Sequence, residues 1–529
     1  MSDKNKLQGN VGATILNKLS LPETLLFAGV FMAFLWSVYF ALVIILFPHQ
    51  IFWNEGTAQV QTLLFLRGVN PFVLENQPFG MNNYGLGYSL AVLPFAALFG
   101  NTLLVHRFVT FAFIIFSAFA GFLTVHQAGK DKLLGLTCAA FITVGLVTGQ
   151  GIGAFPSAMG TFFFLMAVLW PPARGFDRGS LFASAAASLI AFYTKPYFVF
   201  SFAILASYLF LFVSKKKGLF LGLFFTLGFL VLLLIFRFVF PAYFINTIMG
   251  NIFNSMISPE HLLRQLKELF FAFLPILMIV FFTFIDGYST EQKKTPAASQ
   301  STLGLNILEW EKPFLDQSPG YLVYALLFSF TVFVLVLGQH AANNLYYAYQ
   351  LILPLFFCWF FSEIAPRNKA KMFLVLMILI NLFLWEGKLL HPAMLKQDNS
   401  EEWAELMGYM SSSKDILNAP TVVSDVISLG LTPVDSGQTI FFYNVRPYPE
   451  TILSDISYEQ IRTDGFMFEK LIDRRIEKQK YDLVITVKNK GSFFDYNLVE
   501  KYYHQVSEVS VNMPIVGEQW TMLVWKPRP

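Results

Sequence analysis

The sequence predicts a polytopic α-helical membrane protein of about eleven transmembrane helices that ends in a small C-terminal α/β domain on the extracytoplasmic side. Three observations predict it. Hydrophobic residues make up 55% of the 529, aromatic residues 17% and charged residues 13%, against about 25% charged in typical globular domains. Apolar runs of spanning length recur along residues 1–390, and after Lys388 the composition turns mixed and polar. Basic residues fall on alternate connections, as the positive-inside rule requires.

Spanning a bilayer takes about 20 apolar residues. On that measure spans are expected near 21–47, 105–127, 133–150, 156–171, 180–193, 197–213, 218–240, 269–286, 321–338, 347–363 and 372–390. The N-terminal run is longer than a signal-peptide core and no small-residue cleavage site closes it, so it reads as a retained first span. The segments assigned to the inside (1–20, 128–132, 172–179, 214–217, 287–320 and 364–371) carry sixteen Lys and Arg. The outer connections before the tail carry four, Arg67, Lys195, Arg264 and Lys267. The N-terminus is therefore expected in the cytoplasm.

Residues 84–100 are apolar enough to cross, yet counting them as a span would invert every later loop. They read instead as a half-inserted or interfacial helix within the outer loop 48–104. Residues 181–213 would make a single helix of about 50 Å, too long for one crossing. Thr194-Lys195-Pro196 is expected to break it, because proline disfavours a helical residue before it. In the tail, 391–529, strands are expected at 421–427, 439–444, 481–487 and 521–527, with a helix near 469–480.

Several chemistries are excluded. The net charge of +3 comes without any basic run suited to nucleic acid, and Lys215–Lys217 reads as a membrane-edge stop. Cys138 and Cys358 lie in apolar runs and read as small buried hydrophobes. No Gly-rich phosphate loop, HExxH or Cys-rich metal spacing occurs. The longest cytoplasmic loop is too small to bind a nucleotide sugar.

The polar residues that remain cluster at the outer edge. Glu55-Gly56, Arg67-Gly68-Val69-Asn70-Pro71-Phe72, Tyr84-Gly85-Leu86-Gly87-Tyr88, Phe99-Gly100 and His106-Arg107 together resemble the first outer loop of the C-fold (GT-C) glycosyltransferases. That superfamily includes the protein O-mannosyltransferases and lipid A aminoarabinose transferases. Tyr193-Thr194-Lys195-Pro196 resembles its later Thr-Lys-Pro turn, and Gln339-His340, Tyr346-Tyr347, Gln350 and Pro354 its late outer loop. Where members often show Asp-Glu, this chain has Asn54-Glu55.

The resemblance implies transfer, with inversion, of a sugar from a polyprenyl-phosphate donor to a hydroxyl of a lipid, glycan or protein acceptor. A bacterial plasma (inner) membrane is the expected location. A phosphate-linked sugar carries its own good leaving group, so one carboxylate suffices to activate the acceptor. Glu55 is the expected base. Positive groups must hold the departing phosphate, and Lys195, Arg107 and His340 are the candidates. Tyr84, Tyr88, Tyr346, Tyr347 and Gln350 are candidate substrate contacts. A lone Glu55 makes a poor divalent site, so no metal or other cofactor is expected. The competing reading is a transporter or flippase of a lipid-linked saccharide. Against it, no internal repeat and no midplane cluster of ionisable residues is found.

Overall fold

The computed structural model describes residues 21–129, 131–150, 152–249, 251, 258–267, 310–312, 320–336, 350–365, 399–439, 456–488, 493–512 and 519–529. The expected spans near 269–286 and 372–390 lie outside them, and those near 321–338 and 347–363 are described in part.

The membrane part is helical where its apolar runs predict helix. α1 (Leu21–Leu46) stops two residues before Pro48, and α2 (Glu55–Leu66) and α3 (Gly87–Phe99) belong to the outer loop. α4 (Leu103–Gly129), α5 (Lys132–Gln150), α6 (Ser157–Ala173) and α7 (Arg178–Thr194) follow in close succession. Lys195 then leaves the helix in an extended conformation, φ −153° and ψ 124°. A 3-10 turn, Pro196–Val199, leads into α8 (Phe200–Tyr208) and a π-helical turn, Leu209–Val213. The proline break therefore falls where the sequence places it. α9 (Lys215–Val239), α10 (Tyr321–Val336) and α11 (Leu353–Trp359) follow, with π-helical turns at Ile245–Met249 and Phe360–Ile364.

Among the described residues four helical segments are long and apolar enough to cross a membrane: Ala28–Leu46, Leu103–Gly129, Pro196–Val213 and Lys215–Val239. Shorter apolar helices include Lys132–Thr148 and Ser157–Ala173. α1 and α9 present Met32, Leu46, Leu223, Leu227, Leu234 and Phe238 at the surface. In water an apolar face that large would be a liability; here it is what lipid covers. The inner faces pack into one core running from Phe40 and Ile44 through Phe164, Leu165 and Phe198 to Phe356–Phe361. Cys138 and Cys358 are buried free thiols within it, as small hydrophobes should be.

One end of the bundle gathers the basic connections. The Asp177 side chain caps α7 by accepting from the Ser180 amide at 2.6 Å, and Ser214 caps α9 by accepting from the Lys217 amide. Lys217 donates to the Phe176 carbonyl at 3.0 Å, so the 174–178 and 214–217 connections lie side by side. α7 carries the chain from that end to the opposite one, where Lys195 meets the outer loop.

The tail is a four-stranded sheet in the order β1-β2-β4-β3, from β1 (Ile416–Leu417), β2 (Leu483–Val487), β3 (Tyr503–Asn512) and β4 (Gln519–Pro527). β1 pairs parallel with β2, and the other pairs are antiparallel. Period-2 alternation splits its side chains. Leu483, Ile485, Met522 and Val524 pack on one face with Trp403, Leu406 and Met410 of α12 (Ser400–Ser411). Val484, Leu523 and Trp525 pack on the other with Ile472 and Ile476, from the helix Ile456–Glu477.

The strands expected at 481–487 and 521–527 and the helix near 469–480 are present. The segment 421–427 is not a strand. It forms a 3-10 turn, Pro420–Val422, and then α13 (Val423–Ser428). Its β-branched residues serve helix-on-helix packing, with Val423 set against Val60 and Leu64 of α2. Tertiary contact overrides local β preference here. The strand expected at 439–444 lies almost wholly outside the described residues.

The tail sits directly on the outer loop. His49 Nδ1 lies 2.7 Å from Asp425 Oδ1, and its ring stacks on Trp403 at 3.9 Å. Gln50 accepts from the Ser424 amide at 2.7 Å, and Thr57 donates to the Ser436 carbonyl at 2.9 Å. At Gly437, φ is +94°, and a Cβ there would lie 2.9 Å from Thr57 Oγ1 and 3.1 Å from the Trp53 carbonyl oxygen. Only glycine allows the 435–439 loop to come this close to α2.

Candidate functional site

Glu55 opens α2, and Arg107 lies one turn into α4; both side chains are 0% exposed. Glu55 Oε1 accepts from Arg107 Nε at 2.8 Å and from the Ala154 amide at 2.9 Å. Its Oε2 accepts from Arg107 Nη2 at 2.8 Å and from the Ile51 and Phe52 amides at 2.7 and 3.3 Å. The remaining guanidinium donors reach the Ile44, Phe47 and His49 carbonyls at 2.9, 2.5 and 2.7 Å. A guanidinium has five N–H groups and a carboxylate about four acceptor sites, so both are fully used.

This geometry alters two expectations. Arg107 has no donor left for a phosphate; it ties the carbonyls at the end of α1 to the outer loop. Glu55 has no lone pair turned toward an incoming hydroxyl. It pins α2, the α1–α2 turn and the 152–154 segment to one point. The acid Glu75 is exposed in the 3-10 turn Leu74–Asn76.

The Thr-Lys-Pro turn and the outer-loop Tyr-Gly-Leu-Gly-Tyr segment, far apart in sequence, meet in space. The Gly85 amide donates to the Thr194 carbonyl at 3.1 Å. Lys195 Nζ lies 4.6 Å from the Tyr84 ring centroid and 5.3 Å from that of Tyr197, and donates to Ser157 Oγ at 3.0 Å. Lys195 is 6% exposed, and burial pulls its ammonium down to about 7. Asn54 Nδ2 donates to the Tyr84 hydroxyl at 2.9 Å. Of the Asn54-Glu55 pair, then, the neutral amide faces the Tyr84–Lys195 side and the acid faces Arg107.

The close approach at Gly85 has a testable consequence. A Cβ there would sit 1.8 Å from the Tyr193 carbonyl oxygen and 2.4 Å from its carbon, backbone atoms that cannot rotate away. Gly85→Ala is expected to part the outer loop from the end of α7, withdraw Tyr84 from Lys195, and destabilise the protein by about 1–3 kcal/mol. Thermal unfolding in detergent measures this; an unchanged midpoint would show the contact to be dispensable.

Tyr88, an expected substrate contact, is a packing residue. It is buried, donates to the His106 carbonyl at 2.8 Å and lies 3.0 Å from Thr110 Oγ1. Gln350 is buried and accepts from the Tyr197 hydroxyl, which links it through Tyr197 to Lys195. His340, Tyr346 and Tyr347 lie outside the described residues. Among the described residues no three His, Cys, Asp or Glu side chains stand together as metal ligands.

Sequence reasoning missed Ser157, Tyr197 and the tail residues Asp425 and Ser436, which dock the tail on the outer loop. Ser157 and Tyr197 carried a signal, since one follows Pro156 at a helix start and the other follows the Thr-Lys-Pro turn. The tail residues carried none, because no spacing connects them to the outer loop.

No family model and no curated protein matches this chain. Among solved structures it is similar to ArnT from Cupriavidus metallidurans bound to undecaprenyl phosphate, at 11% identity and TM-score 0.47, over 98% of each chain. It is also similar to ArnT from the same organism in the apo state, at 12% identity and TM-score 0.48, over 97% of this chain and 98% of that one.

Proposed function

We propose that this protein is an integral-membrane glycosyltransferase that moves a sugar, with inversion, from a polyprenyl-phosphate donor to an acceptor hydroxyl at the extracytoplasmic face of a bacterial plasma membrane. One observation carries the reading: Lys195 of the Thr-Lys-Pro turn stands over Tyr84 of the outer loop. The two segments that resemble the C-fold transferases are therefore parts of one site. A cation lodged between two aromatic rings and a hydroxyl suits the phosphate of a lipid-linked sugar, and developing charge on a leaving phosphate is what such a group stabilises.

In this reading Lys195 is the phosphate ligand and Tyr84 a substrate contact. Glu55 and Arg107 are positioning residues that hold α2 against the site. About eleven spans with a cytoplasmic N-terminus and no metal complete the proposal. The 16-to-4 bias of Lys and Arg between alternate connections supports that orientation. The basic 174–178 and 214–217 connections also share one end of the bundle, opposite Lys195.

The test is direct. Purified protein in lipid nanodiscs is given polyprenyl-phosphate sugars labelled in the sugar, with membrane glycolipid, glycan and peptide acceptors. Transfer of label with release of polyprenyl phosphate supports the proposal. Movement of the intact donor across the bilayer without cleavage would replace it with the flippase reading.

A further inference from the structure

A second polar group lies one residue from Tyr84. The turn 82–84 is its hub. Asn82 Oδ1 accepts from the Tyr84 amide at 2.8 Å, so its Nδ2 faces the other way and donates to Gln61 Oε1 at 2.8 Å. Ser89 donates to that same oxygen at 2.6 Å. The Asn83 amide donates at 2.7 Å to Oε1 of Gln438, from the tail loop seated on α2. Asn251 Nδ2 donates to the Asn83 and Thr247 carbonyls at 2.7 and 2.6 Å, which leaves its Oδ1 to face Asn83 Nδ2 at 3.5 Å.

These bonds fix which way each amide points without any need to see hydrogens. A backbone N–H orients Asn82, Asn82 orients Gln61, and a second backbone N–H orients Gln438. Three atoms remain buried and without a partner among the described residues: Gln61 Nε2, Gln438 Nε2 and Asn83 Oδ1. Gln61 is 2% exposed and Gln438 0%. Buried polar groups are nearly always paired, with protein, ordered water or a ligand, and what sets these three apart is that their side chains are all anchored to one turn.

Their chemistry restricts what the ligand can be. Two are N–H donors and one is a carbonyl acceptor. A phosphate could take the donors but has nothing to give Asn83 Oδ1. An ammonium could serve Asn83 but would face two N–H groups. A hydroxyl both accepts and donates, and vicinal hydroxyls satisfy all three. The members of the group are uncharged. Asp435, three residues before Gln438, turns inward, accepting from the Gly437 amide at 2.8 Å.

We infer that Gln61, Asn83 and the tail residue Gln438 form a binding site for the hydroxyl groups of a neutral sugar ring, so that the C-terminal domain contributes directly to sugar recognition. The inference rests on the transferase reading and deepens it. The same turn presents Tyr84 to Lys195 and Asn83 to Gln438, so the proposed phosphate ligand and the amides flank one short stretch of chain.

The experiment uses the full chain in lipid nanodiscs free of glycoside detergent. Binding of undecaprenyl phosphate is compared with binding of undecaprenyl-phosphate-linked glucose, galactose, mannose and N-acetylglucosamine. At least one sugar-bearing lipid is expected to bind more tightly than the bare carrier. Gln438→Glu and Gln61→Glu keep the oxygens that accept from Asn83, Asn82 and Ser89 and replace only the orphan donors. Each is expected to reduce that sugar-dependent gain, measured against the same variant's bare-carrier affinity, roughly 10-fold. Thermal unfolding of each variant confirms that it is folded. If the variants keep the gain, or no sugar produces one while the bare carrier binds, this inference falls and the transferase reading stands. If neither kind of lipid binds the wild type, both fall.

Discussion

Glu55→Gln is expected to cripple folding rather than turnover alone. The substitution turns an amide nitrogen toward groups that only donate, either Arg107 Nε and the Ala154 amide or Arg107 Nη2 and the Ile51 amide. It also leaves the 0%-exposed guanidinium without its anion. Removing one partner of a buried pair costs about 3–5 kcal/mol, a large share of the roughly 5–15 kcal/mol that holds a typical domain together. The measurements are the thermal midpoint and the yield of monodisperse protein, with donor binding and transfer determined on whatever folds. Binding and transfer should fall together with folding.

A catalytic base would behave differently. Its loss slows transfer by about 10²–10⁴-fold with the midpoint and donor affinity intact, and that outcome would return the base role to Glu55. The double variant Glu55→Gln/Arg107→Gln separates the two independently. Taking the charge from both partners removes the unpaired cation, so a positioning role predicts recovery of both folding and transfer relative to the single variant. A missing base cannot be restored by changing Arg107.

The contrast between Glu55 and Lys195 shows what a sequence carries here and what it does not. The Thr194-Lys195-Pro196 break was readable because two physical rules coincide. Proline disfavours a helical predecessor, and a lysine between two apolar helices belongs at a membrane edge. Glu55 was open to misreading, because an acid just past an apolar run looks the same whether it faces solvent or a buried cation. The clue lay at Arg107, which follows His106 in the first turns of a long apolar helix, where a cation needs a buried partner. Only an ion pair closing over 52 residues answers that need, and local spacing cannot reveal it. The same limit explains 421–427, where a Val-rich run is pressed into a helix by contact with α2, and Gln438, whose place beside Asn83 follows from tail docking alone. Among the described residues local rules found the longer apolar helices, the break and two strands; the partners assembled by long-range packing were beyond them.

Donor affinity is expected to depend on pH through Lys195. Burial pulls its ammonium down to about 7 in the unliganded protein, and an anionic phosphate binds the charged form. Below about pH 6 the side chain is charged and affinity is flat, while above 7 each pH unit leaves about tenfold less of the binding form. Binding then takes up a proton, and affinity falls accordingly until the pKa of the complex is reached. A sugar-linked polyprenyl phosphate is a diester and does not titrate in this range, so the slope reports the protein. Lys195→Ala is expected to weaken donor binding about 10- to 100-fold, as loss of a charged hydrogen bond does, and to abolish the slope. Lys195→Arg keeps a charge that does not titrate, so it should flatten the pH profile even where its different shape lowers affinity. Equilibrium titration with fluorescent polyprenyl-phosphate sugar from pH 6 to 8.5 measures all three. A pH-independent wild type, together with wild-type affinity in Lys195→Ala, would place the phosphate elsewhere.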